Sequence, residues 1–221
     1  MSYPLSIISS LSLGVVKRRR NFLSFLSCKR KLKLGIAWGF GLVAFNLHIP
    51  AAKALDPVQL EQFRQTGSCA NCDLSGASLI DARLSNTDLR GANLAAADLT
   101  RADLRNANLT GANLAGTSLV YASLAGANLT RANLQVSNLT RANLTNAILT
   151  GASLYRSRLM GASLASADLR GALFWEADLT SANLIGANLR GADLRGALVE
   201  NTIGLEVRGS GAILPNGAFQ P

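Results

Sequence analysis

Ala97-Asp98-Leu99-Thr100-Arg101-Ala102-Asp103-Leu104-Arg105-Asn106-Ala107-Asn108-Leu109-Thr110-Gly111 repeats itself every five residues, and that period decides the fold. Counting by fives from Leu74 to Val199 gives twenty-six positions, of which all but Phe174 and Val199 are Leu. Two residues before each stands a small side chain, Ala in most repeats and Cys72, Thr87, Thr117, Ser137 or Ser157 in the others. The frame does not slip. Repetition at a fixed period outranks every other signal in a sequence, and five is the period of neither ordinary element. Five steps around an α-helix rotate a side chain by about 140°, so the leucines would spiral and form no face. In a straight strand, successive leucines would alternate between opposite faces. The chain has to bend once per repeat, so that each Leu and each preceding small residue points to one axis. That is a coil with a Leu-filled interior and small residues at its crowded corners.

Charges give the number of sides. If adjacent coils lie about 4.8 Å apart, residues one coil apart avoid like charge and favour opposite charge. Spacing 20 yields the opposite pairs Asp81/Arg101, Arg83/Asp103, Arg156/Glu176 and Arg158/Asp178, against the single like pair Arg170/Arg190. Spacing 15 yields one opposite and five like pairs, and spacing 25 none and four. Four sides of five residues follow.

The runs Ala-Asn-Leu-Thr-Arg, Ala-Asp-Leu-Arg-Gly and Ala-Asn-Leu-Thr-Gly resemble the A(D/N)LXX consensus of the pentapeptide-repeat family. The resemblance covers residues 72–199 and implies an all-β fold, a right-handed four-sided (quadrilateral) β-helix. Cys69-Ala70-Asn71-Cys72-Asp73-Leu74 behind an export leader is similar to the lumenal members of cyanobacteria and plastids, whose likeness implies more about fold than about activity.

Outside the repeats, the formal charge of +9 has one source. Met1 to Ala54 holds nine basic residues and no acid, whereas Leu55 to Pro221 holds thirteen arginines and thirteen acids. A neutral body does not offer the cationic surplus that nucleic-acid binding needs. Residues 1–54 read as a cleavable leader: basic clusters at Lys17-Arg18-Arg19-Arg20 and Lys29-Arg30-Lys31, the apolar run Leu34 to Pro50, then Ala52-Lys53-Ala54 as a small-x-small cleavage site. Arg19-Arg20-Asn21-Phe22-Leu23 resembles a twin-arginine signal, and the long Ser-rich basic stretch suits a plastid transit peptide; each route ends in a thylakoid lumen or a periplasm. Contact with a membrane is then transient, through the leader, or lasting if the leader stays as an anchor.

The remaining segments are ends. Residues 55–71 form an N-terminal cap, with Asp56-Pro57 opening a short helix. Residues 200–221 form an irregular C-terminal cap, in which Ala212 and Leu214 still fall in the five-residue frame. An open β-coil end needs such cover.

Chemistry finds little purchase. Cys69 and Cys72 read first as a structural disulfide of an oxidising compartment, with free thiols and a redox pair as alternatives. Two cysteines make no metal site, His48 lies in the leader, and nothing calls for a cofactor. Asp98, Asp103, Asp168 and Asp178 lie on solvated faces, not in the cleft that acid–base catalysis requires, so no enzyme is expected. Asn93, Asn113 and Asn133 suit a stacked amide ladder. Three functions remain: a scaffold that binds an unidentified protein, a binding module gated by the Cys69/Cys72 pair, and a DNA mimic that inhibits a topoisomerase, as some members of the resembled family do. Mimicry demands a negative surplus that residues 55–221 lack. The register of 20 stacks Tyr155, Trp175 and Arg195 in one outward column with Arg156 and Glu176 beside it. This is the candidate protein-binding patch, unless the C-terminal cap folds back over it.

Overall fold

The computed structural model describes residues 68–205 and 211–220. The leader 1–54 and most of the N-terminal cap 55–71 lie outside the described residues.

Backbone pairing runs parallel at a spacing of twenty residues, from Ser68 with Asp88 through Asp73 with Asn93 to Asn183 with Ile203 and Asp193 with Ile213. Arg158 pairs with Asp178, as a four-sided coil requires. The ladder therefore takes in Ser68, ahead of residue 72, and reaches Ile213, well beyond residue 199. Each pairing is an isolated bridge, and no described residue belongs to a longer strand. The reason is geometric: two of every five residues turn the corner, which leaves too few to extend a strand.

One repeat shows how its backbone is satisfied. Asn93 N–H donates to Cys72 C=O at 2.8 Å, Leu94 N–H to Asn113 C=O at 2.7 Å, and Ala96 N–H to Ala115 C=O at 2.8 Å. Ala97 N–H closes the turn on Leu94 C=O at 3.0 Å. The fifth donor, Ala95 N–H, faces no neighbouring coil and is taken by Asn93 Oδ1 at 3.3 Å. That local bond is an Asx turn, and it gives the physical reason for Asp or Asn just before each Leu. The second turn residue lies in the left-handed region throughout, as at Ala96 with φ 55° and Gly116 with φ 65°. Only glycine adopts that conformation without a Cβ penalty.

Inside, Leu89 to Leu184 along the frame are sealed from solvent, and Phe174 replaces Leu with the same full burial. Small polar residues at the corner positions find acceptors: Ser137 Oγ donates to Leu134 C=O at 2.6 Å and Thr117 Oγ1 to Leu94 C=O at 2.9 Å. Each fully buried leucine contributes about 1.5–3 kcal/mol relative to exposure, so the hydrophobic term dominates.

At the far end Gly204 occupies an inward Leu position with φ +71°, and a Cβ there would meet Ile185 Cα at 2.5 Å. The chain then re-enters the ladder at Ile213 and doubles back, Phe219 bridging Ile213 antiparallel. Gly217 N–H closes that hairpin on Leu214 C=O at 2.9 Å. Among the described residues no helix is long and apolar enough to cross a membrane.

Candidate functional site

The side that carries Leu154, Phe174 and Leu194 brings the predicted patch together. Leu173 is bridged to Ser153 below and Asp193 above, and Arg156 N–H donates to Trp175 C=O at 2.9 Å while Glu176 N–H donates to Arg195 C=O at 3.0 Å. These bonds place Tyr155, Trp175 and Arg195 on successive coils of one column. The Arg195 guanidinium sits 4.4 Å from the centre of the Trp175 ring, and that of Arg156 4.9 Å from the Tyr155 ring. Both are within cation–π range. Arg156 Nε also pairs with Glu176 Oε2 at 2.6 Å, and Arg195 Nη2 with Asp193 Oδ2 at 2.8 Å. Burial opposes charge on Asp193, yet hydrogen bonds from Arg195, the Trp175 side chain and the Arg195 backbone hold its carboxyl below the ordinary value.

Trp175 remains 41% exposed and Leu173 40%. An open concavity of about 440 Å³ is lined by Gln135, Ser153, Tyr155, Leu173, Trp175 and Glu176. Described residues of the C-terminal segment do not line it. They stack further along the same side, where Ile213 C=O accepts from Leu194 N–H at 2.9 Å and Pro215 C=O from Gly196 N–H at 2.8 Å. The sequence reading missed Leu173, Gln135 and Ser153. Their signal was in the register, since each lies on the same side as Tyr155 and Trp175.

At the opposite end, Cys69 and Cys72 are joined by a disulfide, with Cα atoms 5.3 Å apart and both residues buried. The bond spans the turn that Cys72 N–H closes on Cys69 C=O at 3.2 Å. Among the described residues no cluster of His, Cys, Asp and Glu suits a metal.

Two of the four charge pairs expected at spacing 20 form ion pairs, Asp81 with Arg101 at 2.7 Å and Arg156 with Glu176 at 2.6 Å. Asp103 instead pairs with Arg105 at 2.8 Å, two residues away. Asp88 with Arg90 and Asp168 with Arg170 do the same, each at 2.7 Å. In an Asp-Leu-Arg run the two charged residues flank an inward Leu and leave on one face, so the local partner wins. Hydrogen bonds from these arginines lower the carboxyl pKa of Asp88, Asp103 and Asp168. Such acids stay ionised and make poor proton donors. The amide ladder forms: Asn113 Nδ2 donates to Asn93 Oδ1 at 3.1 Å and Asn133 Nδ2 to Asn113 Oδ1 at 3.2 Å.

The repeats have counterparts in known proteins. A family model described as pentapeptide repeats, in eight copies, matches residues 68–106, 97–135, 137–175 and 157–196. Among solved structures, HetL, a pentapeptide repeat protein involved in heterocyst differentiation regulation in the cyanobacterium Nostoc sp. strain PCC 7120, is 36% identical over 69% of this chain and 76% of its own, with a TM-score of 0.27. A pentapeptide repeat protein of the Arabidopsis thaliana thylakoid lumen is 33% identical over 44% of this chain and 61% of its own, with a TM-score of 0.30. Rfr23 of the cyanobacterium Cyanothece 51142 is 26% identical over 66% and 97%, with a TM-score of 0.36. No curated protein matches. The matched repeats span more than half of the residues, and the chain belongs to the pentapeptide-repeat family.

Proposed function

We propose that this chain is a non-enzymatic scaffold, exported to a thylakoid lumen or a periplasm, that binds a protein partner through the Tyr155–Trp175 face. One observation carries the reading. An exposed Trp and Leu and a half-buried Tyr sit together on a surface whose charged neighbours are already paired with one another. Trp, Tyr and Arg are the side chains that most often anchor protein interfaces, and paired charges at the rim lower the desolvation cost of covering the centre. The compartment is supported by the acid-free leader and by the Cys69–Cys72 disulfide, which suits an oxidising space. The hairpin from Leu214 to Ala218 supports a role for residues 200–221 in closing the coil's end.

The test is capture from lumenal or periplasmic extract with the native chain and with Trp175→Ser. Specific capture by the native chain, weakened at least tenfold by the substitution with only a small drop in the unfolding midpoint from the lost contacts to Arg195 and Asp193, is the expected result. Equal capture by both would remove Trp175 from the interface. Intact-mass analysis of the native protein should give a mature N-terminus at Leu55, and retention of residues 1–54 would overturn cleavage.

A further inference from the structure

Every Asp and Asn just before an inward residue, from Asp73 to Asp193, puts its Oδ1 on the backbone N–H two residues ahead; Asn133 to Gln135, Asp168 to Arg170 and Asp193 to Arg195 all measure 3.2 Å. The rule lapses wherever Ser, Arg, Ile or Leu stands there instead, as at Ser78, Ser118 and Ile148, and Ser153 and Leu173 are the one pair of such positions on adjacent coils of a single column among the described residues. On the aromatic side Ser153 Oγ accepts from Gln135 Nε2 at 3.1 Å, and Leu173 has no acceptor to give. The N–H groups of Tyr155 and Trp175 are therefore left without an acceptor among the described residues. They lie in one column on adjacent coils, about 4.8 Å apart by the ordinary spacing of paired backbones. The exposed Leu173 side chain lies beside them.

We infer that these two N–H groups and Leu173 receive an extended, uncharged peptide segment of the partner, an inference that rests on the protein-binding reading above. The segment's carbonyl oxygens accept from Tyr155 and Trp175, and one of its aliphatic side chains packs on Leu173 and Trp175. Backbone acceptors beside an apolar side chain are what an extended polypeptide supplies. Charge complementarity selects an uncharged one: Arg156 is held by Glu176 and Arg195 by Asp193, so a charged segment would have to break a pair. Leu at 173 forgoes the turn bond and exposes apolar surface, as Ile148 and Leu198 do, but only at 173 does the neighbouring coil of the same column leave a second N–H open beside it, with no return to the free protein. Such departures concentrate at functional positions.

Leu173→Asn separates the possibilities, because in the free protein it restores the missing turn bond. The probe is a phage-displayed library of random nonapeptides, selected on the full chain. The expected outcome is enrichment of uncharged peptides with an aliphatic residue, binding at least tenfold weaker to Leu173→Asn, while the unfolding midpoint of that variant rises. Equal binding to the variant, enrichment of charged peptides, absence of enrichment, or a lowered midpoint would each overturn the inference. So would self-association of the native chain in sedimentation velocity that Leu173→Asn abolishes, since the occupant would then be a second copy. If Trp175→Ser loses capture from extract while Leu173→Asn keeps it, the peptide mode falls and the protein-binding reading stands.

Discussion

Asn113 hands a hydrogen bond to Asn93 in the coil below, Nδ2 to Oδ1 at 3.1 Å, while its own Oδ1 takes the Ala115 N–H at 3.2 Å. One side chain thus closes a turn within its coil and ties two coils together. Asp shares the first role but has no N–H for the second.

Replacing Asn113 by Ala removes three bonds, the turn bond, the donation to Asn93 Oδ1 and the one its Oδ1 accepts from Asn133 Nδ2, and leaves the Ala115 N–H without its partner. A loss of about 1–2 kcal/mol is expected. Asn113→Asp keeps the turn bond and loses only the amide donor, so its loss should be smaller. Chemical denaturation of the three proteins checks the order.

Much of this architecture is legible before any coordinates. The Leu and Ala columns, the four-sided register and the ladder of Asn93, Asn113 and Asn133 follow from period and residue type, because a five-residue repeat has few ways to bury its leucines. Leu173 is not legible in the same way. Its meaning depends on knowing that the residue before Leu caps a donor no neighbouring coil can reach, which only the hydrogen-bond pattern reveals. The Asp103–Arg105 pairing escaped for a related reason: counting charges between coils overlooks partners on one face of the same coil.

Val136 turns a corner at φ 57° while 63% exposed. A β-branched residue is strained in this region, and Gly116 holds the same corner one coil earlier at φ 65°. Val136→Gly should stabilise the chain by about 1 kcal/mol, and Gly116→Val should destabilise it by a similar amount. Thermal unfolding that moves both variants in the same direction would contradict the strain argument.

The Cys69–Cys72 bond closes a very short loop, with a sequence separation of 3. In the chain-entropy model so small a loop contributes about 2 kcal/mol. Reduction should lower stability by no more than that and leave partner capture unchanged, because the bond lies five coils from Trp175. Capture that switches with reductant would instead support a redox-gated module. Alkylation of both thiols in the unreduced, folded protein would refute the disulfide.

Acid should weaken the coil in a defined window. Asp81 and Asp88 have carboxyl pKa values below the ordinary 3.8 chiefly because arginines donate to them. In Asp193 burial is the larger influence and opposes ionisation, but the hydrogen bonds from Arg195 and Trp175 prevail. A folded pKa below the unfolded one means that the charged form stabilises the fold. That contribution is complete above about pH 4 and is lost as pH falls through the folded value. The unfolding midpoint should therefore stay flat from neutral pH to about pH 4 and drop below it. Asp193→Asn isolates one member of the set. Its Oδ1 can still take the Arg195 N–H, as Asn188 Oδ1 takes that of Arg190 at 3.2 Å, but it has no charge for the guanidinium. The variant should be less stable than the native chain at pH 7, lose less on acidification, and converge with it at the pH that protonates Asp193 in the folded chain. A variant whose curve runs parallel to the native one down to that pH would show that the Asp193–Arg195 pair adds nothing that depends on ionisation.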